Sequence, residues 1–218
     1  MNEVKIGRIL RDIIIFVFLV VCIFSVFVTI LSRKDADGAA EVFGYQMRVV
    51  TSDSMAACEH TDVSAYKIKD IPVRSMVLVE VMPQTPAEAD AFYRSLQVGD
   101  VLTFRYVYTT QITITHRIIS ITEKDTGGFI IELAGDNKNS KDANLTQVID
   151  TSVPNSTNYV IGKVVGHSYL LGRFMNFLKQ PAGIVICIIV PCFIIIMLEV
   201  IKIVRIIEED KRDSYEEY

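Results

Sequence analysis

The sequence predicts a mainly β domain of antiparallel strands with one short helix, flanked by two transmembrane helices. Three observations carry that expectation. Half of the 218 residues are hydrophobic and the mean hydropathy is +0.35, an excess concentrated in two apolar runs. Between those runs lie short β-branched and aliphatic stretches separated by Gly turns. The segment 111–121 alternates strictly, with Ile112, Ile114, His116 and Ile118 on one face and Thr113, Thr115 and Arg117 on the other, which is the period of a half-buried strand.

Residues 1–11 are expected to form a cytoplasmic N-terminus, carrying Lys5, Arg8 and Arg11. The first span, 12–32, contains the nearly uninterrupted apolar run Ile13–Leu31, close to the roughly 20 residues that cross about 30 Å of hydrocarbon. Backbone amides in lipid pair only internally, so the run reads as a helix. It is long for the apolar part of a secretory leader, and no small-x-small site follows closely, so an anchor is expected. The second span, 182–204, holds Pro191 and is expected to kink there. Residues 205–218 read as a solvated cytoplasmic tail. Basic residues before the first span and after the second (Lys202, Arg205, Lys211 and Arg212) put both tails on the cytoplasmic side.

The intervening residues, 33–181, form an extracytoplasmic domain of ordinary size. A short linker at 35–40 leads to a strand over 42–51 that feeds Ser54. A polar loop at 60–70 precedes a strand over 73–79. Thr85 as cap, Pro86 at the first helical position and Glu88 three residues after the cap start a short helix running to Leu96. A turn at Val98-Gly99-Asp100 opens a strand over 101–108, and the alternating strand follows. Asp125-Thr126-Gly127-Gly128 makes a hairpin turn into 129–133. A polar loop occupies 135–145, and a last strand 159–166.

The net charge of −4 argues against nucleic acid as a partner. Of four cysteines only Cys58 lies in the domain, so no disulfide forms within it. No Cys or His pair has ligand spacing, and neither metal nor other cofactor is expected.

Ser54 needs an adjacent base, because a serine hydroxyl alone is a weak nucleophile. That base must titrate near working pH. His60 sits in a polar loop and His167 beside the second apolar run. His116 lies mid-strand on an apolar face, where a rigid sheet can aim it. No lysine occurs between Val101 and Thr122, and a guanidinium does not serve as a base. An imidazole base works best with a carboxylate on its other nitrogen, and both Asp136 and Asp142 in the 135–142 loop qualify. The Ser54 N–H and the Ser52 hydroxyl supply donors for a tetrahedral oxygen. Taken singly, each feature reads as structure: a turn serine, a core histidine, a polar loop. Their combination points to a serine hydrolase beside a bilayer.

Ser52-Asp53-Ser54-Met55, Gly99-Asp100-Val101-Leu102-Thr103-Phe104, Thr115-His116-Arg117-Ile118 and Gly135-Asp136-Asn137, in that order, resemble the boxes of type I signal peptidases. Ile71-Pro72-Val73-Arg74-Ser75-Met76-Val77 is similar to the family's Ile-Pro-Val-Gly-Ser strand, and Ile161-Gly162-Lys163-Val164 extends the likeness toward the second span. Histidine where bacterial housekeeping enzymes carry lysine resembles the branch shared by the endoplasmic-reticulum catalytic subunit and the SipW-type enzymes. The resemblance implies antiparallel sheets of the signal peptidase type and a serine endopeptidase that removes signal peptides from exported precursors. It implies Ser54 as nucleophile, His116 as general base, Asp142 as the orienting acid with Asp136 as a nearby structural or electrostatic carboxylate, and Ser52 with Ser54 at the oxyanion. Implied partners are signal-peptide-bearing precursors and the lipid bilayer, near the translocon, and the implied location is the cell membrane or an endoplasmic-reticulum-type membrane. Two positions depart from the pattern: Asp53 replaces the usual Gly, and Ala57 the usual Pro. They support an alternative, a catalytically silent assembly or binding subunit of the same fold. A self-cleaving regulator of the Ser-Lys type is disfavoured by the missing lysine and by the two spans.

Overall fold

Strand pairing organises the chain. The computed structural model describes residues 15–16, 18–23, 26, 33–34, 39–107, 111–140, 145–153 and 158–216. Among them one antiparallel sheet runs in the order β1-β2-β3-β4-β9-β5-β6-β7-β8. Its strands are β1 (Arg33–Lys34), β2 (Ala40–Val42), β3 (Tyr45–Val49), β4 (Met76–Val81), β5 (Val101–Val107), β6 (Gln111–Glu123), β7 (Phe129–Ala134), β8 (Gln147–Asp150) and β9 (Tyr159–Ser168). The mainly antiparallel β class expected from the alternating pattern is what forms.

β5 is the spine. Val101 to Arg105 are all buried, as befits a central strand covered on both faces. Leu102 and Phe104 point into one core with Ile118, Ile131, Leu133 and Ile149. Val101 points into the other, with Met55, Ile71, Val77, Val79 and Val164. Helix α1 (Pro86–Ser95) covers the first core, packing Phe92 and Tyr93 against it. Its start is as expected, with Thr85 capping and Pro86 next, although the Thr85 hydroxyl donates to the Glu88 carboxylate and not the reverse capping bond.

Several elements differ from expectation. The expected strand 42–51 is split by a tight turn at Phe43-Gly44, both with positive φ (53° and 79°), into the β2–β3 hairpin. β4 starts at Met76 and not Val73, because Arg74 takes φ 70° in a turn. β8 was not anticipated, nor was helix α2 (Tyr169–Leu178), which follows β9 directly.

Beyond it, α3 (Pro181–Ile184) continues through a π turn (Val185–Ile189) into α4 (Val190–Glu216). The stretch Pro181–Glu208, 28 residues long with an 18-residue window of mean hydropathy 3.2, is long and apolar enough to cross a membrane. The π turn answers Pro191. Proline has no N–H and crowds the preceding turn, and the Val190 N–H reaches back five residues to the Val185 carbonyl. Most of the expected first span, 12–32, lies outside the described residues. Those described there are helical and mostly exposed, and the second crossing helix is therefore not part of the fold as shown. The chain divides into a β body, 31–173, and a second unit of 1–30 with 174–218.

Candidate active site

The turn after β3 carries Ser54, and its neighbours fix it. Met55 is fully buried in the second core, a side chain whose burial contributes about 2 kcal/mol. Its carbonyl accepts the Ile71 N–H at 2.9 Å. The Gly-Asp-Asn box braces the same turn from the far side. The Asn137 N–H donates to the Ser54 carbonyl at 2.9 Å, and the Asn137 side-chain amide to the Asp53 carbonyl at 3.1 Å. The Ser140 hydroxyl donates to the Asp53 carboxylate at 2.7 Å. The Ala57 N–H is held by Asp70 at 2.6 Å, which fastens the turn after Met55. Ser54 is itself buried, 4% exposed, with its Oγ 3.2 Å from the Ser52 hydroxyl.

β6 supplies both His116 and Arg117, and the strand's alternation sends them to opposite faces. His116 pairs across to Leu102 of β5 and is 1% exposed. Its Nδ1 lies 2.7 Å from the Gln147 Oε1. An amide oxygen only accepts, so Nδ1 is the donor of this pair, and in the neutral ring that leaves the lone pair on Nε2. His116 and Ser54 line one cleft of about 670 Å³, together with Ser52, Thr115, Gln147 and residues 48–50. The expected nucleophile, base and oxyanion hydroxyl thus meet in a single cavity.

β3 and β6 border that cavity. Among the described residues, β2 pairs β3 at Tyr45 and Gln46, and β7 pairs β6 from Arg117 onward.

The carboxylates divide. Asp136 goes to Arg117 and not to His116: Nε and Nη2 of Arg117 grip its two oxygens at 2.8 and 2.6 Å, both side chains buried. The same guanidinium donates to the carbonyls of Gly99 at 2.7 Å and Ile68 at 2.9 Å and stacks on Tyr66 at 4.7 Å. A side-chain carbon at Gly99 would come within 2.3 Å of that ring, and Gly99 also needs φ 98°. Asp136 is thus a structural carboxylate that ties the 135–140 loop to the body. Asp142 lies outside the described residues. His60 is exposed on its loop, and His167 is exposed on β9 opposite Val77; neither lines the cleft. Gln147 is the site residue that sequence reasoning missed. A polar residue opening a four-residue strand carries no periodic signal, and only its burial beside His116 identifies it.

Compared with known proteins, the chain matches no family model, and no curated protein matches it.

Proposed function

We propose that this chain is a membrane-tethered serine endopeptidase of the signal peptidase type, cutting signal peptides from exported precursors. The observation that supports it most is the convergence of Ser54 and His116, both buried, in one cleft bordered by β3 and β6. An extended precursor segment lies along this cleft, and its alternate side chains enter it. The His116 Nε2 takes the proton from the Ser54 hydroxyl as its oxygen attacks the scissile carbonyl. The Ser54 N–H and the Ser52 hydroxyl donate to the tetrahedral oxygen. The imidazolium returns the proton to the departing amine, leaving an acyl-serine. Water, deprotonated by the same nitrogen, then releases the acid and restores the serine. Gln147, by accepting from Nδ1–H, favours the tautomer this cycle needs, and Asp142 is proposed as the acid that steadies the imidazolium.

In this reading residues 12–32 and 182–204 both cross the membrane and the β body is extracytoplasmic. The anchor holds the cleft where a precursor's cleavage point emerges from lipid. Two contacts weigh against the silent-subunit alternative. The carboxylate of Asp53 is engaged by Ser140, and the Ala57 turn is fastened by Asp70.

Co-expression with a tagged precursor tests the reading. Ser54→Ala and His116→Ala are each expected to abolish cleavage, and Asp142→Asn to slow it at least 100-fold, within the range lost when an orienting acid is neutralised. Full cleavage by Ser54→Ala would end the proposal. Cleavage by His116→Ala with loss in His60→Ala would move the base to the loop.

A further inference from the structure

We infer that α2 is an interfacial helix, its outward face around Leu170 and Phe174 seated in the headgroup–acyl boundary of a bilayer. The inference rests on the proposed membrane crossing of Pro181–Glu208 and adds a second, shallow contact ahead of it.

α2 is inverted relative to an ordinary surface helix, which turns its apolar stripe inward. The position pressed against the β body is Gly172, which is buried. A side-chain carbon there would lie 2.0 Å from the Arg74 carbonyl oxygen and 2.5 Å from the Met76 nitrogen. Leu170 and Phe174 stand two residues to either side, about 200° round the helix in each direction, and they are 79% and 50% exposed. The face turned away from the body is therefore the apolar one.

Chain length identifies what meets that face. Only Lys179 and Gln180 separate Leu178 from Pro181, a reach of about 11 Å when fully extended. A helix whose last turn is that close to the start of a membrane-crossing helix lies at the lipid surface. Leu and Phe displayed there meet acyl chains. The remaining residues suit that depth. The Arg173 guanidinium lies 5.6 Å over the Tyr169 ring, and such amphipathic cation and aromatic groups place apolar stems in the boundary and polar tips in the headgroups.

The contact also reaches the active site. The backbone segment that Gly172 abuts includes Ser75, whose carbonyl accepts the Val50 N–H at 2.9 Å. Val50 lines the cleft four residues ahead of Ser54. A helix fixed at the lipid surface thereby sets the height of the nucleophile turn.

The chain contains no tryptophan, so single substitutions report without background. Leu170→Trp, Phe174→Trp, Ile194→Trp and Val98→Trp would each be made in the full chain and reconstituted in phosphatidylcholine vesicles. Trp at 170 and 174 should emit to the blue of Trp at 98 and lose most intensity to lipids brominated near the headgroup end. Trp at 194 should lose most to lipids brominated near the chain end. If Trp at 170 and 174 matched position 98 in emission and iodide quenching, the interfacial assignment would be overturned while the crossing stood. Blue emission untouched by any brominated lipid would overturn it in favour of a protein contact. If Trp at 194 were also aqueous, crossing and interface would fall together. None of these readouts depends on peptidase activity.

Discussion

At the scale of single residues, a buried ion pair and a strained backbone position set the local energetics. Arg117 and Asp136 form a buried, bidentate ion pair. Removing one partner of such a pair leaves the other charge buried and costs about 3–5 kcal/mol. Asp136→Ala is expected to lower stability by that amount in urea melts. Asp136→Asn should lose precursor cleavage at the growth temperature and regain it on cooling, whereas His116→Ala stays inactive at every temperature. Arg74 carries strain of another kind. Its φ of 70° is a conformation that costs a side-chain-bearing residue about 1–2 kcal/mol, and the resembling family places Gly there. Arg74→Gly should therefore stabilise the chain by about 1 kcal/mol, read as a higher urea midpoint with an unchanged slope. Of the two candidate acids, sequence alone gives no preference based on contact, because both are loop carboxylates near a histidine. It is the far face of β6, where Arg117 waits, that claims Asp136.

Among the elements, β6 was the most legible and the β2–β3 hairpin the least. Alternation over 111–121 reports a strand because its two faces see different surroundings, and the strand forms with His116 buried. The helix at Pro86–Ser95 is equally visible through its start signal. The hairpin hides because Phe43 is an atypical residue for a positive-φ turn position. β8 hides because Gln147 and Asp150 break its apolar pattern, each serving a local contact. Asp150 accepts from the Ser152 hydroxyl and the Lys124 ammonium, which together hold its carboxyl at about 2, below the usual 3.8. A depressed carboxylate stabilises the fold above its unfolded pKa, and that contribution fades as pH falls from about 4 through 2. Acid unfolding monitored by hydrogen exchange on β8 should show this loss in the wild type, and a flatter profile in Asp150→Asn.

For the whole molecule, the proposed function makes the tether the determinant of which substrate is favoured. The β body, 31–173, is a compact unit with two cores of its own. In the proposed reading, a body held beside a membrane meets embedded precursors at an effective concentration that free diffusion does not reach, a gain of about 100-fold or more for linked partners. Deleting 1–32 and 181–218 together should therefore leave kcat/KM on a soluble peptide nearly unchanged while lowering cleavage of a bilayer-embedded precursor by about that factor. Comparing the two substrates with one preparation checks it. The split pairing of β6 has a further bearing on how such a chain can change over generations. His116 is the last residue before β7 joins, and Arg117 is the first one inside. A one-residue shift of that ribbon would swap them, turning a permanent cation toward the scissile bond and burying an imidazole among carbonyls that expect a guanidinium. Insertions or deletions between 111 and 117 are thus closed to this lineage, while the exposed hairpin tip at 125–127 is free to vary in length.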